Sequence, residues 1–330
     1  MLVITDYIEN DGKSSVSAAI QKVIDENPNR TIYFPDGTYV LSEPIITPAD
    51  PKKSVDLQLE NYAVLKAASS FEPNKAMVIL GGKDAANDTL TPGSNYSFTG
   101  GIIDGSSLAC GIEIAGGRET RVANVSIKNV HLGLLIDHGA NSGSSDCDIH
   151  DLSINGTGKA GDTGIIIYGY DNTLTNIRIG KVDIGVLLRS SANSLRNVHP
   201  LYYSDFTAFE NSVGFSDEAG NNRYDFCCSD QFCTGFVTKS YLPSHFNNCF
   251  CFWWTSMGKY QTAFRADGEF NSIVNGLTAG FKDDAEAVFL SAENGGCGVM
   301  RDPVFSEKQT ETTLIRNILT AKFGRSTDRM

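Results

Sequence analysis

A glycine leading a short apolar run recurs through the middle of the chain, and it restricts the possible folds more than any other feature. It reads Gly111-Ile112-Glu113-Ile114, Gly133-Leu134-Leu135-Ile136, Gly164-Ile165-Ile166-Ile167 and Gly185-Val186-Leu187-Leu188, then in shorter form Gly214-Phe215 and Gly235-Phe236-Val237. Successive glycines are 22, 31, 21, 29 and 21 residues apart. Short β segments repeating every 20–30 residues or so mark a stacked solenoid, in which each coil contacts only its neighbours.

A second motif runs in phase with the first, an Asn or Asp followed by apolar residues. It occurs at Asn124-Val125-Ser126-Ile127, Asp151-Leu152-Ser153-Ile154, Asn176-Ile177-Arg178-Ile179, Asn197-Val198, Asp225-Phe226-Cys227-Cys228 and Asn248-Cys249-Phe250-Cys251. One coil therefore reads as an Asn turn, a short strand, a Gly turn and a second strand. Asn suits such a turn because it tolerates left-handed backbone and its amide bonds nearby main chain. Stacked at one corner, these side chains can also bond each other along the axis. Alternation along a strand places Val125, Ile127, Leu152, Ile154, Ile177 and Ile179 inside and Ser126 outside. The same phase puts Cys228, Cys249 and Cys251 inside. The predicted fold is all-β, a single-stranded right-handed parallel β-helix forming one domain over residues 1–330, with coils across 31–300. A β-sandwich has no reason to repeat Asn and Gly in phase.

Residues 13–27 read as a short amphipathic capping helix. Ser14 or Ser15 can cap it, Val16, Ala19, Ile20, Val23 and Ile24 share a face, and Pro28 ends it. A strand, a Pro35-Asp36-Gly37 turn and a second strand follow. Ala19-Ile20-Gln21, Ile24-Asp25 and Ile32-Tyr33-Phe34-Pro35-Asp36-Gly37-Thr38-Tyr39 resemble the N-terminal signature of the pectate-lyase-like superfamily. That group contains polygalacturonase-related hydrolases, pectate-lyase-3-type proteins and several phage tailspikes. Gly100-Gly101-Ile102-Ile103-Asp104-Gly105 resembles its Gly-x-Ile-Asp-Gly strand and turn. With the repeats, the resemblance spans about residues 5 to 290. It implies the β-helix fold, a carbohydrate as partner, and side-by-side assembly into a homo-oligomer, a trimer first. Arg178-Ile179-Gly180 resembles the Arg-Ile-Lys stretch of polygalacturonases with glycine in the last place. The Asn-Thr-Asp and Gly-His-Gly motifs of those enzymes are absent, so no catalytic residue is carried over.

Composition narrows the partners. With 27 basic and 39 acidic residues the net charge is −12, which argues against nucleic acid. No run approaches the roughly 18 apolar residues of a membrane span. Met1–Asp6 has neither a basic region nor a long apolar run, so no signal peptide is expected. The protein then either stays in the cytoplasm or is secreted or virion-borne with its leader removed. The polar stretch 324–330 reads as a loose tail. Eight cysteines without a Cys-x-x-Cys spacing read as buried free thiols. No His lies at a ligand-like spacing to them, so no bound metal and no organic cofactor are expected.

Candidate chemistry lies on outward positions. Four residues after each repeat Gly come Asp137, Tyr168, Arg189, Glu218 and Lys239. In register, these read as a sugar site, with Asp137 and Glu218 as acid and base, Arg189 orienting hydroxyls and Tyr168 stacking on a ring. The alternative is a solvated edge of alternating charges. Asp146, Asp148 and His150 alternate with Cys147 and Ile149 and face outward together. Mutual repulsion there can raise a carboxyl towards a working acid, with Asp148 catalytic and Asp146 substrate-binding. A Ca²⁺ site is the competing use. Acids one coil apart, about 4.8 Å, suit a retaining glycosidase, and acids two coils apart suit an inverting one. His138 is a candidate general acid or base. Arg178 and His199 are outward bases that can bind substrate. Trp253 and Trp254 are either a sugar platform or filler. The column Leu135, Ile166 and Leu187 is outward yet apolar, as for a face covered by another subunit or a loop. The function expected is glycoside hydrolysis or glycosyl transfer on an oligo- or polysaccharide. The alternatives are a polysaccharide lyase with an Arg or His base, and a non-catalytic glycan-binding or phage-tail-type β-helix.

Overall fold

The computed structural model describes residues 1–83, 96–138, 144–202, 209–255, 260–282, 286–305, 315–316 and 322–324. The expected loop at Ala85–Ser94, most of the excursion at 141–145 and the tail after Gly324 lie outside the described residues. The chain divides into two compact units, Met1–Thr157 with Asp162–Thr173, and Gly158–Gly161 with Leu174–Met330. Each unit is built of coils whose strands pair in parallel with those of the next coil, giving the right-handed parallel β-helix fold.

In the first unit two interior columns are aliphatic. Leu65, Ile103, Ile127 and Ile154 lie side by side on successive coils, and so do Ile112, Leu134 and Ile165. In the second unit the interior is aromatic. Phe215, Phe236 and Phe264 are in register, with the first two rings stacked 4.8 Å apart, and Tyr224 stacks on Phe246 at 4.3 Å. Val125, Ile127, Leu152, Ile154, Ile177 and Ile179 are all buried, as the alternation predicts.

The two repeat motifs have different physical origins. The turn residue takes left-handed backbone, with φ of 58° at Asn124, 56° at Asp151, 56° at Asn176, 51° at Asn197 and 50° at Asn248. The repeat glycines, in contrast, sit inside strands rather than at turns. They are glycine because the coils close in on them. A Cβ on Gly111 would stand 2.3 Å from the Gly133 carbonyl oxygen, and one on Gly133 would stand 2.4 Å from Ile154 Cγ2. In the second unit a Cβ on Gly185 would stand 2.4 Å from the Gly214 oxygen. The expected Gly turn is therefore corrected to a close-packed strand.

One coil departs from the predicted phase. Phe226, with φ of 52°, takes the turn position expected for Asp225. Asp225 instead ends the strand Arg223–Asp225. Its carboxylate accepts from Asn247 Nδ2 at 2.9 Å, and Asn247 in turn accepts from Asn275 at 3.0 Å. A shift of one residue exchanges the faces of a strand. Cys227 and Ser229 therefore point inward and are buried, while Cys228, expected inside, faces outward and is half-buried. Cys249 and Cys251 are interior as expected.

The capping helix is shorter than the expected 13–27. It spans Ser17–Glu26, because Asp11–Ser15 is drawn into a strand beside Gly37–Leu41. Ser15 does not cap it; its hydroxyl pairs with that of Ser42 at 2.7 Å. Ile20, Val23 and Ile24 are buried. Gln21 ties the helix to the first coils, since its amide donates to Ile46 O at 2.9 Å and accepts from Ile46 N at 2.8 Å. No helix among the described residues is long and apolar enough to cross a membrane. Two substitutions test this packing by urea unfolding. Ile154→Ala should cost about 2–5 kcal/mol through lost burial and a cavity. Gly133→Ala should cost about 1–3 kcal/mol through overpacking, and a neutral result there would mean the coils are not closely apposed.

Candidate active site

In the first unit the strands Cys110–Ile114, Leu132–Ile136 and Thr163–Ile167 run side by side. Their register pairs Glu113 with Leu135 and Leu135 with Ile166. The flanking Ile112, Leu134, Ile165, Ile114, Ile136 and Ile167 fill the interior, so Glu113, Leu135 and Ile166 share the outward face. Ile79 precedes Glu113 in the same column. Glu113 is thus a half-buried carboxyl between two apolar neighbours. Burial pushes its pKa above the ordinary carboxylate value, and the charge of Asp137 pushes it further in the same direction.

Asp137 lies on the next coil, two residues beyond Leu135. Its amide continues the ladder to Ile114 O at 3.0 Å, as that of Tyr168 does to Ile136 O at 2.7 Å. Asp137 and Tyr168 are therefore neighbours on successive coils, as the spacing predicts. Asp137 Oδ1 accepts from the His138 amide at 2.8 Å. The exposed His138 ring sits edge-on to Tyr170, with centroids 5.6 Å apart. One surface thus gathers a carboxyl whose pKa is raised, a second carboxyl on the adjoining coil, and aromatic rings beside them. Environments that separate the proton affinities of two neighbouring carboxyls suit acid–base work. Glu113 is absent from the residues predicted for the site. Its signal was nonetheless present, since it occupies the position that Leu135, Ile166 and Leu187 fill elsewhere.

The other predicted residues fall in separate places. Asp146 is taken by Arg118 Nε at 2.7 Å and by the Ser145 hydroxyl at 3.1 Å. Asp148 lies 3.5 Å from Arg121 Nε and 3.8 Å from His150 Nε2, while His150 Nδ1 bonds Asp151 at 2.7 Å. Each carboxylate of the expected acidic edge therefore already carries a cation, which ill suits Ca²⁺. Asp148 also closes a groove of about 470 Å³ lined by Arg30, Asp56, Ser97, Glu119 and Arg121. The column Asp56, Ser97, Arg121, Asp148 forms its wall in strand register.

In the second unit Glu218 accepts from Lys239 Nζ at 2.8 Å and from Arg189 Nε at 3.1 Å. Burial raises its pKa, but the two cations outweigh this and hold the carboxyl below its usual range. That geometry is an ion-paired edge, and a carboxyl so held is a poor proton donor. Leu187 is buried, whereas Leu135 and Ile166 are half-buried. Arg178 is exposed, with its guanidinium 3.4 Å from Asn197 O. His199 Nε2 bonds Asp230 Oδ2 at 2.7 Å, and the Cys228 thiol donates to Asp230 Oδ1 at 3.1 Å. Trp253 is filler, buried against Phe281 at 5.0 Å with its indole donating to Phe232 O. Trp254 is exposed and lies 6.3 Å from Phe252, which is 6.1 Å from Phe250. These three rings make an open aromatic strip.

The family described as rhamnogalacturonase A/epimerase, pectate lyase-like, matches residues 3–204. The chain belongs to this family. A glucan 1,3-beta-glucosidase of Cochliobolus carbonum is 28% identical over 178 residues, 47% of this chain and 20% of that protein. The chain thus spans about a fifth of that relative's length. Among solved structures, a tailspike protein double mutant of E. coli bacteriophage HK620 in complex with pentasaccharide superposes with a TM-score of 0.72 at 11% identity, covering 99% of this chain and 64% of that one. The catalytic unit of a GH87 alpha-1,3-glucanase from Streptomyces thermodiastaticus gives 0.57 at 13% identity, covering 97% and 64%. These structural likenesses establish the pectate-lyase-like fold.

The Glu113 environment has a measurable consequence. Its folded carboxyl binds the proton more tightly than the unfolded one, so its contribution to stability is full below the ordinary glutamate pKa. That contribution is lost as pH rises through the elevated folded value. Glu113→Gln, which cannot ionise, should therefore melt higher than wild type at pH 7 and no higher at pH 4. Identical melting differences at both pH values would show that Glu113 is not held protonated.

Proposed function

We propose that this chain is a carbohydrate-active enzyme that hydrolyses a glycosidic bond in an oligo- or polysaccharide. Glu113 serves as the general acid and Asp137 as the partner carboxylate. The observation that carries this reading is the raised carboxyl of Glu113 next to Asp137 on the adjoining coil. A protonated acid is required at the leaving oxygen and an ionised one at the sugar or the attacking water. Tyr168 offers the apolar face of a sugar ring something to lie against, and His138 with Tyr170 forms the adjoining rim. Membership of the pectate-lyase-like family and the glycan-directed names of the relatives support a carbohydrate as substrate.

A second reading, glycan binding without turnover, draws support from the exposed strip Phe250, Phe252 and Trp254. Aromatic faces of this kind stack on sugar rings whether or not chemistry follows. Side-by-side assembly into a homo-oligomer, a trimer first, accompanies both readings. It is supported by the half-buried apolar pair Leu135 and Ile166, which a second copy would cover. Light scattering at micromolar concentration should give a mass above one chain, and a clean monomer would remove this part.

The functional test is a glycan panel read for new reducing ends and, separately, for the absorbance of an unsaturated uronide. Hydrolysis predicts the first signal alone, and a lyase would give the second. On the glycan that responds, Glu113→Gln and Asp137→Asn should each lower turnover by about 10²–10⁴-fold while the fold is retained. Glu218→Gln should change turnover little. Wild-type turnover in both of the first two variants would move catalysis elsewhere.

A further inference from the structure

Three unlike ligand side chains converge on the outward face of the second unit. His199 Nε2 lies 2.7 Å from Asp230 Oδ2, and Cys228 Sγ lies 3.1 Å from Asp230 Oδ1. One donor atom from each of the three residues falls within 4.8 Å of the others. Cys228 and Asp230 share one strand, and coil stacking brings His199 to them from the preceding coil. Leu201 pairs with Asp230, which sets His199 beside Cys228 two residues earlier on each strand. All three are half-buried, so the cluster is reachable but shielded. It exists only because Phe226 takes the turn position and sends Cys228 outward.

We propose that His199, Cys228 and Asp230 form a binding site for a borderline-soft divalent cation of the Zn²⁺ class. One imidazole nitrogen, one thiolate and one carboxylate oxygen match the zinc donor set, with bonds of about 2.0–2.3 Å. A hard cation such as Ca²⁺ requires six or more oxygens, and this cluster supplies one carboxylate. The present spacings are those of hydrogen-bonded groups. Binding replaces the shared protons with the metal and opens each contact by about 0.5 Å, the difference between a hydrogen bond and two ligands of a tetrahedral ion. Three protein ligands leave a fourth position for water or a sugar hydroxyl. The next coil supplies Phe250 in register with Cys228 and Phe252 in register with Asp230, both exposed. The cluster thus lies alongside the aromatic strip. In the metal-free protein burial and the Asp230 carboxylate hold the proton on the Cys228 thiol, with Arg178 opposing them weakly, so the metal must displace that proton to bind. This site shares no residue with the Glu113–Asp137 pair, so the two readings fail independently.

The test uses the whole chain, reduced, stripped with a chelator and titrated with Co²⁺. A thiolate-to-cobalt charge-transfer band should appear and saturate at one ion per chain, and Zn²⁺ should abolish it by displacement. Cys228→Ser should remove the band, and His199→Gln should weaken Zn²⁺ affinity at least tenfold in competition with a chromophoric chelator. Cys297→Ser, which alters an exposed thiol, should leave both unchanged. Circular dichroism and melting of the metal-free variants should match wild type, and Asp230→Asn provides a second ligand variant should one of them unfold. No saturable band, or a band that survives Cys228→Ser, overturns the proposal.

Discussion

Parallel pairing of one coil on the next is the interaction on which everything else in this protein rests. In the repeat coils from Asn124 to Asn248 the corner is turned by one residue in left-handed backbone, and from that residue onward side chains alternate in and out. Asn and Asp are common at the corner because they adopt this conformation with little strain and their side chains can reach a neighbour, as Asn197 reaches Asn176 at 2.8 Å. The repeat glycines answer a second demand of the same pairing. Where strands of successive coils approach most closely there is no room for a Cβ, and the carbonyl of the next glycine occupies the space.

Register also decides what a carboxylate can do. Glu113 and Glu218 both stand on outward positions, yet their surroundings differ completely. Glu113 stands between Ile79 and Leu135 with Asp137 close by, and its proton is held more tightly. Glu218 stands between Arg189 and Lys239 and its proton is held less tightly. The scaffold is the same in both units, and the identity of the residues one coil above and below sets the chemistry. The first is a plausible reagent, and the second is a tie along the edge of the coils.

The second unit shows how polar groups are accommodated where the coil narrows. Asp217 is buried, and its two oxygens accept from Tyr224, Asn222, Ser244 and the amides of Ala219 and Gly220. A buried charge of this kind is tolerated because its hydrogen bonds replace those of water. It braces the turn after the strand Val213–Asp217 and fixes the aromatic column around Tyr224. A stiff face of this sort can hold side chains such as His199, Cys228 and Asp230 in a defined arrangement.

Much of the fold was legible in the sequence because a solenoid repeats its instructions. The Asn and Gly series, the interior positions from Val125 to Ile179 and the capping helix all follow from short-range rules of turn preference and alternation. Adjacent placement of Asp137 with Tyr168, and of Arg189 with Glu218, could be read in the same way. Local spacing could not reveal which residue took the corner in the coil of Phe226. Asp225 satisfies the local preference as well as any neighbour, and its bond to Asn247 on the next coil is what keeps it in the strand. That single choice turned Cys228 outward and made the cluster with His199 and Asp230. Nor could spacing reveal that the Glu113 pKa would be raised, because the shift depends on burial and on the charge of Asp137 one coil away. The sequence by itself determined the repeat and its inward face. Tertiary structure alone decided which outward side chains meet, because those contacts run between coils, across about 20–30 residues of chain that local rules do not span.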